Sequence, residues 1–408
     1  MKGWVSTMKD SLTHRQTMKL ENQRILLSLI QQQPLSRSAL AAQTGLTQAS
    51  VSLIVDELIR EGILLSADKA EEAGLGRRPI LLDINEGWGA VLGLSIDRDG
   101  VDIGLTTLKG RVLDAVERFP ADRDFTACLD RIAGEAEKLL RRNPALRDRI
   151  VALGAAVPGP FGAEEGKLLN PPGFFEEWYG LNLRAELARR FPFPVYIEHN
   201  SIAFAKAELC AGGVKGCSNF LLLNINAGLG AGLVLGGRVY TGVNGYGGEF
   251  GHTSIDMHGR PCSCGNRGCL EQYASLSAML YDVQRLRPEV ASWERLVDLA
   301  YSGDPLCDRF LEDEAAYLAH AIVSVSNLLG LEAVIFTGKI LYRPARLLDR
   351  VREKIQRATL TKNYRPVAIQ ASSIQDHPHI VSGAAVVIDR VFHQALFYHD
   401  ARRRLYGE

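Results

Sequence analysis

The 408-residue chain has no net charge, because 47 lysines and arginines balance 47 aspartates and glutamates. No overall basic character draws it to nucleic acid, so any DNA contact must come from a local module. It lacks a run of eighteen apolar residues, which excludes a membrane-spanning helix and gives no reason to expect membrane insertion. The polar stretch from Met1 to Leu20 holds no apolar segment of a secretory signal, so the expectation is a cytoplasmic protein. No repeat of fixed short period is present. Cysteine is sparse and uneven. Of seven, Cys128, Cys210, Cys217 and Cys307 are scattered and read as buried thiols of a reducing compartment, while three crowd together. What the chain does have is 46% hydrophobic residues and a length too great for one core, so two or three domains are expected.

The crowded cysteines belong to a dense pattern: Gly248-Glu249-Phe250-Gly251-His252, nine residues, then Cys262-Ser263-Cys264-Gly265-Asn266-Arg267-Gly268-Cys269-Leu270-Glu271. One histidine and three cysteines at this spacing can close a tetrahedral structural zinc site. A disulfide fits poorly, because Cys262 and Cys264 are nearly adjacent and three thiols leave one over. Glu249 and Glu271 stand at the edges of the knot, where a metal would hold them rigidly.

The first 85 residues carry a different signature. Gln23 to Gln32 has one apolar face. Ser36 suits an N-cap for a helix that Gly45 closes, and Thr47 caps a third helix with Val51, Ile54, Val55, Leu58 and Ile59 at helical spacing. Helix, tight turn, helix is the helix-turn-helix order. Two apolar stretches, Ile63-Leu64-Leu65 and Ile80-Leu81-Leu82, flank a glycine-rich loop with Arg77 and Arg78 and read as a wing. Residues facing DNA would be Thr47, Gln48, Ser50 and Ser52 on the third helix, with Arg37, Arg77, Arg78 and Lys19 as cations. Ten basic against nine acidic residues across 1–85 leave open a packing module that never meets DNA, or one that binds a protein.

From Trp88 onward strands alternate with helices in two successive sets. Val91 to Ile96 and Val101 to Thr107 read as a hairpin turning at Asp99-Gly100. A helix is expected over Phe125 to Arg142, strands over Ile150 to Val157, Val195 to Glu198, Phe220 to Asn224 and Ala231 to Leu235, and a long helix from Pro305 to Leu329. The fold class is α/β, with a winged helix-turn-helix at 1–85, a first lobe at 86–200 and a second at 201–408 that includes the C-terminal helices.

The winged helix, the loop Asn226-Ala227-Gly228-Leu229-Gly230-Ala231-Gly232, the Gly248–His252 segment and the Cys262–Glu271 knot together resemble the ROK family along essentially the whole chain. That family joins sugar kinases to sugar-responsive repressors, including the Mlc, NagC and XylR types. The resemblance implies a ribonuclease-H/actin-like pair of lobes. It also places Glu249, His252, Glu271 and the backbone of Gly159 around a sugar. The family's kinases carry an Asp-Ile-Gly-Gly-Thr-type phosphate loop, where this chain has Ser95-Ile96-Asp97-Arg98-Asp99. They also carry an Asn-Asp pair, where it has His199-Asn200. An amide is no general base near neutral pH, although Asn200, and His199 beside it, can still hydrogen-bond a sugar hydroxyl. Glu249 and Glu271 could equally be partners of the knot alone, and Asn170, Trp178 and Tyr179 could shape the pocket or only pack a surface loop.

The expectation is therefore a zinc-containing transcriptional repressor without kinase activity. It binds operator DNA, senses a sugar or sugar derivative, and works as a homodimer or homotetramer; a protein effector would also fit. The alternative is a ROK-type sugar kinase with a fused DNA-binding domain.

Overall fold

A computed structural model of the chain describes residues 14–67, 80–162, 166–169, 174–214, 216–245 and 247–393. The chain divides into two compact units. One holds residues through Asn200 and again from Asp376 onward; the other is Ser201–Gln375.

The first unit opens with α1 (His14–Gln32), β1 (Leu35–Ser36), α2 (Arg37–Thr44), α3 (Gln48–Arg60), β2 (Leu64–Ala67) and β3 (Leu81–Ile84). Caps set the two short helices. The Ser36 side chain accepts from the Ala39 amide, and Thr47 accepts from the Ser50 amide. Gly45 ends α2 in the left-handed conformation and takes the Ala41 carbonyl, so the chain turns sharply into α3. Leu26, Ile30, Leu40, Val51, Val55 and Leu58 are fully buried. Each stabilises the module by about 1.5–3 kcal/mol relative to exposure. β1, β3 and β2 form a small antiparallel sheet in that order. This is a winged helix-turn-helix arrangement; the tip of the wing, with Arg77 and Arg78, lies outside the described residues.

The remainder of this unit is built on β4 (Ala90–Asp97), β5 (Gly100–Thr107), β6 (Val112–Ala115), α4 (Phe125–Arg142), the single turn α5 (Pro144–Arg147), β7 (Ile150–Val157), β8 (Phe161–Gly162), β9 (Lys167–Leu168), α6 (Leu183–Arg190) and β10 (Val195–His199). Its sheet runs β10-β7-β4-β5-β6. The hairpin-linked strands β4, β5 and β6 are antiparallel, and β7 and β10 add in parallel. Trp178 belongs to the core beneath α4. It is fully buried, meets Phe125 and Phe174 edge-on, and donates from Nε1 to the Arg123 carbonyl at 3.1 Å.

After α7 (Asn200–Ala211) the second unit repeats the plan with β11 (Phe220–Ile225), β12 (Leu229–Leu235), β13 (Arg238–Tyr240), α8 (Glu271–Ala274), α9 (Leu276–Gln284), α10 (Trp293–Tyr301), α11 (Pro305–Leu329), β14 (Ala333–Thr337), α12 (Ala345–Ala358) and β15 (Ala368–Ala371). The sheet order is β13-β12-β11-β14-β15, again a three-stranded meander extended by two parallel strands. Asp304 caps α11 through the amides of Leu306 and Cys307, with Pro305 in the first turn. Glu314, midway along α11, is fully buried, and neither carboxyl oxygen has a hydrogen-bond partner among the described residues. Burial alone pushes its pKa well above the usual carboxylate range.

The last helix, α13 (Pro378–His393), does not join the second unit, although the sequence reading placed the C-terminal helices there within 201–408. It belongs to the first unit, where it packs on β4, β7, β5 and β10 and also touches α1. Small residues allow the close approach. A Cβ on Gly383 would lie 2.3 Å from the Leu94 carbonyl oxygen, and one on Gly154 would lie 2.2 Å from the Gly383 oxygen.

Candidate metal centre, ligand residues and nucleic-acid interface

In the second unit His252 ends a short 3₁₀ turn (Phe250–His252), and the strand-like segments after it fold back on each other. Bridges pair Ser254 with Cys269 and Pro261 with Arg267. Gly268, at φ 69°, allows the crossing: a Cβ there would fall 1.8 Å from the Asp256 carbonyl oxygen. The result gathers four donors. His252 Nδ1 lies 3.6 Å from Cys262 Sγ, Cys264 Sγ lies 3.6 Å from Cys269 Sγ, and all four ligand atoms fall within 4.8 Å of one another. Zinc–sulfur bonds of about 2.3 Å in a tetrahedron put neighbouring sulfurs about 3.8 Å apart, so the donor set fits such an ion.

The electrostatics agree with a cation at this point. The Cys264 thiol is drawn down, chiefly by the Asn266 amide, whereas burial and the other thiols push Cys269 up to about 12. Three crowded sulfurs cannot all ionise without a positive charge among them. Gln272 Nε2 donates to Cys262 Sγ at 3.6 Å and so supports one ligand from outside the set.

The two edge carboxylates differ. Glu249 is exposed and precedes the 3₁₀ turn, where its carbonyl takes the His252 amide. Glu271 begins α8 and is half-buried, and its Oε2 accepts from the Leu229 amide at 3.1 Å. It thereby fastens the knot to the glycine-rich turn between β11 and β12. Nδ1 is the His252 ring nitrogen that faces the thiols.

In the first unit Gly159 and His199 touch: a Cβ on Gly159 would come 2.3 Å from His199 Cδ2. His199 ends β10 and Asn200 begins α7, so the strand-to-helix switch falls between them. The β4–β5 turn is closed by its own carboxylate. Asp97 Oδ1 accepts from the amides of Asp99 and Gly100 at 2.8 and 3.0 Å, and from Arg118 Nη2 at 2.7 Å. Arg118 also holds Asp102 at 2.6 Å. The amides that an anion would need are already capped by the turn's own carboxylate. Trp178, a candidate for pocket lining, is instead core, and Asn170 lies outside the described residues.

On α3 the buried stripe is Val51, Ile54, Val55 and Leu58. The opposite stripe, at helical spacing, is Ala49, Leu53, Asp56 and Arg60, all exposed. Of the residues predicted to face DNA, Gln48 is exposed beside this stripe, while Ser52 is half-buried. Thr47 and Ser50 are bonded to each other, Oγ1 to Oγ at 2.9 Å. Arg37 is held by Asp56 at 2.7 Å and by the Ser52 carbonyl at 3.4 Å, and Lys19 by Glu57 at 2.6 Å. Sequence reasoning did not single out Ala49 and Leu53, two apolar side chains on the polar side of the helical wheel, which are exposed.

A winged helix at the start of the first of two units of like sheet order, with a Cys₃His cluster in the second, defines a two-unit α/β protein of sugar-kinase-like fold. The ROK family pattern matches residues 92–390, and the chain belongs to that family. It is 28% identical over 378 residues to the xylose repressor of Caldicellulosiruptor bescii, covering 89% of this chain and 94% of that one. It is 28% identical over 380 residues to the DNA-binding transcriptional dual regulator NagC of Escherichia coli, covering 90% and 91%. Among solved structures it resembles a ROK family transcriptional regulator described as a homologue of the E. coli MLC protein. There the TM-score is 0.77 at 29% identity, over 95% of this chain and 99% of that chain.

Proposed function

We propose that this protein is a sugar-responsive transcriptional repressor that binds operator DNA through its winged helix and does not phosphorylate its effector. The observation that carries this reading is the continuity of its likeness to regulators, which runs through the N-terminal module as well as both α/β units. Two features of the site support the non-enzymatic part. The turn that would cradle phosphate is capped by Asp97, and the position of a kinase base holds Asn200, which has no basicity to offer.

His252, Cys262, Cys264 and Cys269 hold a zinc ion, which cross-links the knot and has no open position for chemistry. Each unit carries its own groups suited to sugar hydroxyls: the Glu249 and Glu271 carboxylates and the second nitrogen of His252 in the second, and Gly159, His199 and Asn200 in the first. Two copies of the chain present two winged helices to a two-part operator, and the effector changes their fitness to bind it.

The test has two arms. Selection from random duplex DNA with the full chain should return a two-part site. A thermal-shift panel that includes xylose, N-acetylglucosamine and their phosphates should then give a ligand that alters affinity for that site. Failure to enrich any sequence, or ATP-dependent phosphorylation of the bound sugar, sinks the reading.

A further inference from the structure

We infer that Ala49 and Leu53 read the 5-methyl groups of thymines in the major groove, making an apolar contact the sequence-determining element of operator recognition. The inference rests on the operator-binding reading above and names the part of the protein that would supply its selectivity.

Leu53 is 73% exposed, the most exposed large hydrophobic residue among the described residues of the winged-helix module. A lone surface leucine is ordinary, but the position of this one is not. It lies one turn after Ala49 on the outermost stripe of the second helix of the helix-turn-helix, in the half of that helix that reaches base edges in such modules. The side chains around it leave room for close approach: Gln48, Ser50 and Ser52 are short or amide residues. Apart from the exposed Gln48 amide, the polar groups nearest the stripe are engaged elsewhere. Thr47 and Ser50 bond each other, and Arg37 is held by Asp56 and the Ser52 carbonyl. The Arg37–Asp56 pair also neutralises the one carboxylate of the stripe, which would otherwise repel the DNA backbone. Besides the Gln48 amide and the Arg60 guanidinium, what is left facing outward is a methyl and an isobutyl group. The base-edge feature that matches them is the thymine methyl, which only the major groove displays.

The experiment uses the full-length protein and a site selected from random duplex DNA. Each thymine of one half-site is replaced in turn by deoxyuridine, which removes only the methyl. Wild-type protein should lose affinity about fourfold at one or two positions, the worth of one buried methyl. Leu53→Ala should bind the thymine site more weakly and lose the thymine-over-uracil preference at one of those positions. Its unselective, salt-dependent binding should remain, showing that the exposed substitution left the module folded. If no uracil substitution weakens binding, or if Leu53→Ala keeps every thymine preference, the inference is wrong while operator binding stands. If no sequence is enriched at all, the operator reading itself falls, and this inference with it.

Discussion

The two α/β units share one sheet plan, a three-stranded meander extended by two parallel strands, yet their first turns have opposite chemistry. In the first unit the β4–β5 turn is acidic and closed on itself by Asp97. In the second, the β11–β12 turn is glycine-rich and is fastened by Glu271 to the Cys₃His knot. The same sheet plan therefore carries two different turns, because each is stabilised by its own local hydrogen bonds. Topology does not decide chemistry here; a few side chains at strand ends do.

The comparison can be broken most severely by truncation after Gln375. Without α13 the first unit loses the cover of β4 and β7, and the expected outcome is loss of its cooperative unfolding together with operator binding. Hydrogen exchange should report deprotection in residues 90–157 and native protection in residues 220–371. Equal loss in both units would show that they are not independent.

Metal removal should strike the other unit. For an ion present at a hundred times its dissociation constant, chelation costs about 2.7 kcal/mol, or a fall of about 5–10 °C in the midpoint of a unit this size. Calorimetry with and without chelator checks this. A shift confined to the first unit's transition would refute it.

A pH-dependent asymmetry comes from Glu314. Its folded pKa lies above its unfolded one, so the folded state retains the proton where the unfolded state releases it. Stability from this group is complete below the unfolded pKa and is lost as pH rises through and above it, at up to about 1.4 kcal/mol per pH unit. Denaturant melts of the second unit between pH 5 and 8 should show that decline, and Glu314→Gln should flatten it. A wild-type profile that is already flat would contradict the assignment.

The smallest expected effect is nil. Asn200→Asp restores a carboxylate where a kinase base would stand but leaves the β4–β5 turn capped, so sugar phosphorylation should stay at background in a coupled assay. Turnover by this variant would show that the first unit retains more of a phosphate site than its turn suggests.

Much of this was legible in the sequence because it is local. Ser36 and Thr47 cap their helices as expected, and the helices over Phe125–Arg142 and Pro305–Leu329 have the predicted limits. The four donors of the metal cluster converge because their spacing and glycines leave the chain little else to do. The rest depended on contacts that spacing does not encode. In the sequence Asp97 is only one residue of a loop that departs from the kinase pattern, whereas in the fold its carboxylate caps the turn. Trp178 could have shaped a pocket or packed a loop on sequence alone; it is buried and its indole donates to the Arg123 carbonyl. Ala49 and Leu53 were passed over because apolar residues on a helix are first assigned to its core. The return of α13 to the first sheet joins residues nearly three hundred positions apart, as in the approach of Gly383 to Leu94, and no periodicity reports that.

That return sets an order of events during synthesis. Ser201–Gln375 is one continuous segment and can fold as soon as it has left the ribosome, but the earlier unit waits for its last helix. At about 5–20 residues per second, the apolar face of β4 and β7 stays uncovered for roughly ten to thirty-five seconds while the second unit is made. The half of the molecule that begins first is finished last, and over that interval its nascent chain shows the kind of apolar surface that chaperones shield.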